Sequence, residues 1–145
     1  MTQLIELIES AIARLGIDPA MARDKKPYTW LLAKGEAHIF VEIITDHPVG
    51  RPLFQVRAPM LDWPETNSDS VGKKLLECNR TMIMAAFCLD QGKICLLETR
   101  ELPGLDEGEA LDAILKVGEY AEMLDQWLAE ITPERTPIGY KAFSA

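Results

Sequence analysis

The chain has 145 residues, of which 48% are hydrophobic and 26% charged, proportions that are typical of a soluble globular protein. Its net charge of −8 is concentrated in residues 101–135, which contain ten acidic residues and only two basic ones. An acidic surface repels phosphate backbones, which argues against nucleic acid as a partner. There is no basic leader, and the longest wholly apolar run, residues 82–89, is far shorter than the roughly 20 residues of a membrane span. We therefore expect a cytoplasmic protein that binds neither nucleic acid nor membrane.

The N-terminal part of the chain predicts a helix followed by a β-hairpin. Apolar residues recur at helical spacing at Leu4, Ile8, Ala11, Ile12 and Leu15. Residues 28–33 and 37–44 then read as strands around the turn Lys34-Gly35-Glu36. In the second strand, Ile39, Val41 and Ile43 share one face, while Phe40 and Ile44 lie on the other.

The segment LFQVRAPML, residues 53–61, predicts a third strand. Pro59 cannot donate a ladder hydrogen bond, which indicates an edge strand or the end of a strand. An exposed edge can bind an extended partner segment by strand addition, and we therefore predict that Phe54 and Val56 contact a partner. The alternative is an ordinary half-buried strand without such a role.

The C-terminal half predicts a short helix, a second hairpin and a long helix. The short helix covers residues 70–79, and the hairpin strands end at Leu89 and begin again near residue 93. Asp106 and Glu109 have the spacing of a capping box at the start of a long amphipathic helix that Pro133 ends. The order α-β-β-β-α-β-β-α predicts an α+β fold with a five-stranded, mainly antiparallel sheet, in a single domain of residues 1–132 with an extended tail at 133–145.

The apolar run MIMAAFCL, residues 82–89, predicts a subunit contact. Since the run has no polar residue at either parity, both faces of a strand made from it should be buried. The short helix before it is too small to cover the second face, so we expect a second copy of the chain to do so. The predicted homodimer interface consists of Val71, Leu75, Ile83, Ala85 and Phe87.

No catalytic or metal-binding pattern emerges from the sequence, and we expect no cofactor. His38 and Glu42 share a strand face but lie about 13 Å apart, too far for one metal ion. Cys78, near Lys74 and Arg80, is the best candidate for a reactive thiol. A second hypothesis is therefore a small enzyme or ligand-binding domain with a pocket between the last helix and the sheet that uses Cys78 or His38. A third is a purely structural subunit of a larger complex.

The relation between Cys88 and Cys95 depends on the turn of the second hairpin. A two-residue turn at Gln91-Gly92 places the two cysteines opposite each other, close enough to consider a redox pair. A three-residue loop at 90–92 places Cys88 opposite Ile94 and sends Cys95 to the other face. Glycine at the third loop position favours the second arrangement, in which the thiols are small apolar side chains.

The segment LLECNRTMIMAAFCLDQGKICLLETRELPGLDEGEALDAI, residues 75–114, resembles the YbjN-type family of bacterial proteins, also called sensory transduction regulators. The matching positions are Asn79, Asp90, Gly92, Leu102, Pro103, Leu105 and Leu111. The element order is also similar to the type III secretion chaperone fold. This resemblance implies a non-enzymatic, dimeric module that holds an extended client segment against apolar grooves and strand edges. The first hypothesis is therefore a cytoplasmic regulator or chaperone-like protein-binding homodimer.

Overall fold

The computed structural model describes residues 1–132, which form four helices and one five-stranded sheet. The elements are α1 (Thr2–Ala13), α2 (Pro19–Ala22), β1 (Thr29–Lys34), β2 (Ala37–Ile44), β3 (Leu53–Asp62), α3 (Ser68–Asn79), β4 (Ala86–Asp90), β5 (Lys93–Glu101) and α4 (Glu107–Ile131). The predicted α+β class and element order are confirmed. Among these elements, only α2 was not predicted; it is a single turn that begins at Pro19 and is capped by the side chain of Asp18. The predicted tail, residues 133–145, lies outside the described residues.

The sheet is antiparallel throughout, with the strand order β1-β2-β3-β5-β4. Strand β3 therefore lies at the centre, and the prediction that it is an edge strand was wrong. Pairing with β2 stops at Arg57, and the register against β5 shifts between Pro59 and Leu61. Pro59 thus marks the end of one pairing and a bulge in the other, which are the places where a central strand tolerates proline.

One face of the sheet carries the hydrophobic core under α1 and α4. Helix α4 contacts β2, β3, β5 and α1. The strand residues that point toward these helices are buried and belong to the core cluster: Trp30, Leu32, Ile39, Val41, Ile43, Phe54, Val56, Ala58, Phe87, Ile94 and Leu96. The predicted inward face of β2, with Ile39, Val41 and Ile43, is therefore confirmed.

Helix α3 lies beside β4 and is joined to it by Asn79. The side-chain amide of Asn79 donates to the carbonyl oxygen of Phe87 at 3.1 Å, and its oxygen accepts from the Phe87 N–H at 2.6 Å. One side chain thus occupies the hydrogen-bonding positions that a neighbouring strand would take. Residues 80–85 connect α3 to β4 without forming a strand, and Met84 there has a positive φ of 65°. Only the second half of the run 82–89 is a strand.

The β4–β5 hairpin closes with a two-residue turn, which contradicts the predicted three-residue loop. Gln91 and Gly92 both have positive φ, 50° and 78°, as a type I′ turn requires. Cys88 consequently pairs with Cys95 and Phe87 with Leu96. The physical reason is the core: a register slip of one residue would turn Phe87 from the core to the opposite face.

Candidate partner-binding surface

The face of the sheet opposite α1 and α4 displays half-buried apolar side chains. The strand registers place Leu31, Phe40, Arg57, Leu97 and Ala86 opposite one another in a single row across the sheet. We call this surface the open face and define it by eight half-buried residues: Leu31, Phe40, Ile44, Arg57, Pro59, Ala86, Cys88 and Leu97. None of the eight belongs to the core cluster on the helix side. The open face therefore retains accessible apolar surface.

Arg57 is the charged residue in the middle of this row, and it is held by two neighbours. Its Nε lies 2.5 Å from Glu42 Oε1, and its guanidinium carbon lies 4.2 Å above the centroid of the Phe40 ring. Glu42 is only 3% exposed. The ion pair neutralises both charges and the ring contact orients the guanidinium. Arg57 is thus an oriented polar group beside the apolar residues of its row, and the neighbouring row on the same face carries the polar residues Glu42, Gln55 and Thr99.

Both edges of the sheet are partly covered by the chain itself. On β1, Arg23 forms a β-bridge with Trp30, and the N–H of Asp24 donates to the carbonyl oxygen of Thr29 at 2.9 Å. On β4, Asn79 occupies the backbone groups of Phe87. These contacts hinder the addition of a foreign strand at the edges.

The structure places Phe54 and Val56, the predicted partner-contacting residues, in the core under the helices. Both are completely buried. They share β3 with Arg57, which has the opposite parity and reaches the open face. The sequence already indicated the apolar character of the open face, since β2 carries apolar residues at both odd and even positions. Phe40 and Ile44 are those on the side away from the core.

The predicted dimer residues divide into a buried group and one exposed residue. Val71, Leu75, Ala85 and Phe87 are each at most 7% exposed within the chain itself, whereas Ile83 is 66% exposed. Three further apolar residues nearby in the chain are exposed by more than half. Together with Ile83 they form what we call the α3–β4 patch: Leu76, Ile83, Met84 and Leu89. Leu76 could have been recognised from the sequence, because it directly follows the inward-facing Leu75 and so lies on another side of the helix.

A groove runs along α3 next to this patch. Its volume is about 660 Å³, and its lining includes Trp63, Gly72 and Leu76. The Trp63 ring packs against the helix at Gly72, where an added Cβ would make an ordinary van der Waals contact with the ring at 3.4 Å. The groove and the patch together extend the apolar surface along α3 that lies outside the core.

The two residues that the enzyme hypothesis invoked lie on opposite sides of the sheet. Cys78 packs against the helix-side core and lines a cavity of about 390 Å³ with Leu124 and Trp127, whereas His38 shares the face of Phe40. Burial raises the pKa of the Cys78 thiol above its ordinary value, which disfavours the reactive thiolate. Because the sheet lies between them, Cys78 and His38 do not form a catalytic pair.

Residues 1–132 contain neither a metal-binding cluster nor a membrane-spanning helix. No group of three or more His, Cys, Asp or Glu side chains in this part of the chain could hold a metal ion. None of its helices is both long and apolar enough to cross a membrane.

Comparison with known proteins identifies the fold. No protein-family model matches the chain, and no curated protein matches it. Among solved structures, a chain of the ExsC–ExsE complex matches with a TM-score of 0.65 at 16% identity, over 88% of this chain and 94% of that one. A chain of the HopA1–SchA chaperone–effector complex matches with a TM-score of 0.62 at 10% identity, over 87% and 97%.

A third match comes from the heterodimeric ExoU–SpcU complex of the type III secretion system of Pseudomonas aeruginosa. Its TM-score is 0.55 at 18% identity, over 88% of this chain and 98% of that one. The chain therefore has a type III secretion chaperone-like fold. The resemblance to the YbjN-type family stays a prediction.

Proposed function

We propose that this protein is a non-enzymatic, chaperone-like module that holds an apolar segment of a client protein on its open face. The observation that carries the proposal is the row from Leu31 to Ala86, which leaves apolar side chains accessible across the sheet. Burial of such side chains by a partner contributes roughly 25 cal/mol per Å² of apolar area. The fold is consistent with this role, since two of the similar structures are described as complexes with effectors or secretion-system proteins.

The arrangement of polar groups supports a protein segment as the ligand. Arg57 is held by Glu42 and Phe40, so it offers a fixed donor to a backbone carbonyl of a bound segment without adding a net charge to the surface. An apolar patch with one or two convergent polar groups is typical of sites that bind peptides through side-chain contacts.

We further propose that the protein acts as a homodimer through the α3–β4 patch. Leu76, Ile83, Met84 and Leu89 are exposed by 59–72%, on α3, on the connection that follows it and on β4. This location agrees with the region expected from the sequence, although the contacts are made by Leu76 and its exposed neighbours rather than by Val71, Leu75, Ala85 and Phe87. Two copies would cover this apolar surface by a two-fold contact.

The experiment that tests client binding compares an open-face variant with a matched control. Clients are captured in cells with the intact protein, identified by cross-linking, and one client segment is then titrated calorimetrically. Leu97→Asp places a charge in the open row and should weaken binding at least tenfold, because the bound segment would bury that charge. Met123→Asp changes an exposed apolar residue of α4 and should bind like the wild type.

Two results would contradict the proposal. One is equal affinity of Leu97→Asp and wild type for the same client, with circular dichroism showing that both are folded. The other is the absence of any saturable client with the wild-type protein.

A further inference from the structure

Cys88 and Cys95 face each other across the β4–β5 hairpin. They are register partners, and Cys88 belongs to the open face. The backbone N–H and carbonyl of Phe87 point outward to Asn79, so those of the next residue, Cys88, point inward to β5. In such a hydrogen-bonded pair the Cα atoms are about 5.5 Å apart, within the range that a disulfide spans.

The two thiols differ in exposure and in acidity. Cys95 is 1% exposed, whereas Cys88 is half-buried on an outer strand. The Cys95 thiol donates a hydrogen bond to the Cys88 sulfur, and this lowers the pKa of Cys88 against the opposing effects of burial and Asp90. The same bond and burial raise the pKa of Cys95. Cys88 is thus the better nucleophile, and Cys95 keeps its proton beside it.

We propose that Cys88 and Cys95 form an oxidation site at which hydrogen peroxide generates an intramolecular disulfide between β4 and β5. This inference is independent of the proposed client binding. The accessible nucleophilic thiol next to a buried second thiol is the arrangement of a peroxide-reactive cysteine with its resolving partner. The sequence contains a third cysteine, Cys78, which packs against the helix-side core and is therefore separated from this pair by the sheet.

The chemistry requires peroxide and no other reactant. The Cys88 thiolate attacks one peroxide oxygen, so that an S–O bond forms, the O–O bond breaks and hydroxide leaves. The Cys95 sulfur then attacks the sulfenic sulfur of Cys88, the S–S bond forms, and the oxygen leaves as water with the proton of Cys95. In total, the two thiol groups lose two electrons, and one peroxide is reduced to the level of water.

The experiment uses the full-length reduced protein, hydrogen peroxide and tryptic mapping. Trypsin cuts after Arg80, Lys93 and Arg100, which places Cys78, Cys88 and Cys95 in three different peptides. After peroxide treatment, alkylation under denaturing conditions and digestion without reductant, we expect the peptides 81–93 and 94–100 to appear as one linked species. Peptide 75–80 should carry the alkylated Cys78.

Variants assign the roles of the two thiols. In Cys95→Ser, peroxide should leave a sulfenic acid on Cys88 that dimedone traps, and no linked peptide should form. In Cys88→Ser, the buried Cys95 should react at least tenfold more slowly than Cys88 of the wild type. Cys78→Ser should form the linked peptide at the wild-type rate.

The proposal is overturned if wild-type peptides 81–93 and 94–100 stay separate and alkylated after peroxide treatment. It is also overturned if the linked species joins Cys78 to another cysteine. Peptide mapping of the wild-type protein tests the proposed disulfide even if a serine variant fails to fold.

Discussion

At the scale of single residues, Asn79 shows how one side chain can complete a sheet. Its amide makes both hydrogen bonds that a neighbouring strand would make to Phe87, and it holds α3 against β4. Asn79 is one of the positions that match the YbjN-type pattern, and from the sequence it was expected only to end a helix. Its contact with Phe87, eight residues later, depends on the turn at 80–85, which no local pattern indicated.

We predict that Asn79→Ala destabilises the protein by about 2 kcal/mol. The substitution leaves the N–H and carbonyl of Phe87 without their partners at a half-buried position, and each lost partner costs about 1–3 kcal/mol in such settings, partly compensated by water. Urea unfolding at neutral pH measures the change. Gln126→Ala is the control, because Gln126 is exposed and its side chain donates to Glu130 across the surface of α4. This substitution should change the free energy of unfolding by less than about 0.5 kcal/mol. Equal stability of Asn79→Ala and wild type would contradict this role.

At the scale of elements, α1 is attached to the rest of the fold by a carboxylate. Glu9 accepts hydrogen bonds from Arg23 Nε at 2.8 Å and Nη2 at 3.0 Å, and from the indole Nε1 of Trp30 at 3.0 Å. The hydrogen bond from Arg23 is the main reason why the pKa of Glu9 lies below its ordinary value of 4.5. Burial opposes this lowering, and the bond from Trp30 and the charge of Arg23 add to it. Glu9 thereby joins α1 to β1 and to the residue that follows α2.

We predict that Glu9→Gln removes a pH-dependent part of the stability. A carboxylate whose pKa is lowered in the folded state contributes its full stabilisation of the fold at pH values above its unfolded-state pKa. This contribution is lost as the pH falls through its folded-state pKa. The wild type should therefore be more stable than Glu9→Gln by about 1 kcal/mol at pH 7, and this difference should shrink as the pH falls below 4.5. Thermal or urea unfolding across this pH range measures it.

The matched control for this prediction is Glu6→Gln, which changes an exposed acid of the same helix. Its stability curve should follow that of the wild type. If Glu9→Gln keeps a constant difference from the wild type down to pH 3, the carboxylate is not the source of the effect.

Elements with a clear periodicity could be predicted from the sequence, and contacts between distant elements could not. The 3.6-residue spacing in α1 and α4, the capping box at Asp106 and Glu109, and the β1–β2 hairpin all follow from local rules, and the structure contains each of them. The central position of β3 depends on which strands pair across the chain, a choice that Pro59 alone does not settle. The hairpin register was likewise decided by the burial of Phe87 and not by the turn residues.

At the scale of the whole molecule, two apolar surfaces lie outside the core. The open face lies on one side of the sheet, and the α3–β4 patch lies at its β4 end. The sequence predicted that some apolar surface near residues 71–89 needs a partner, but of the five residues to which it assigned that role only Ile83 is exposed. Tertiary packing decides which apolar residue of a helix or strand faces the core. Leu75 and Leu76 are the same residue type at adjacent positions, but Leu75 is buried and Leu76 is exposed.

We predict that Leu76→Asp together with Ile83→Asp converts a wild-type dimer into a monomer. Both side chains are more than 60% exposed in the single chain, so the substitutions should leave the fold intact while placing two charges in the proposed contact. Sedimentation at micromolar concentration measures the mass. Met123→Asp, equally exposed on α4, should remain dimeric. A wild-type protein that sediments as a monomer would refute the proposed interface.

The row of side chains across the open face also determines how long a segment must be to span the sheet. With strands about 4.8 Å apart, the distance from Leu31 to Ala86 across the sheet is about 19 Å. An extended segment of about six residues has the same length, but its side chains on one face repeat every 6.6 Å or so, out of step with the strand spacing. Such a segment cannot place successive side chains over successive strands. In the proposed binding mode, the open face therefore selects a segment by its length and apolar character, and only weakly by the order of its residues.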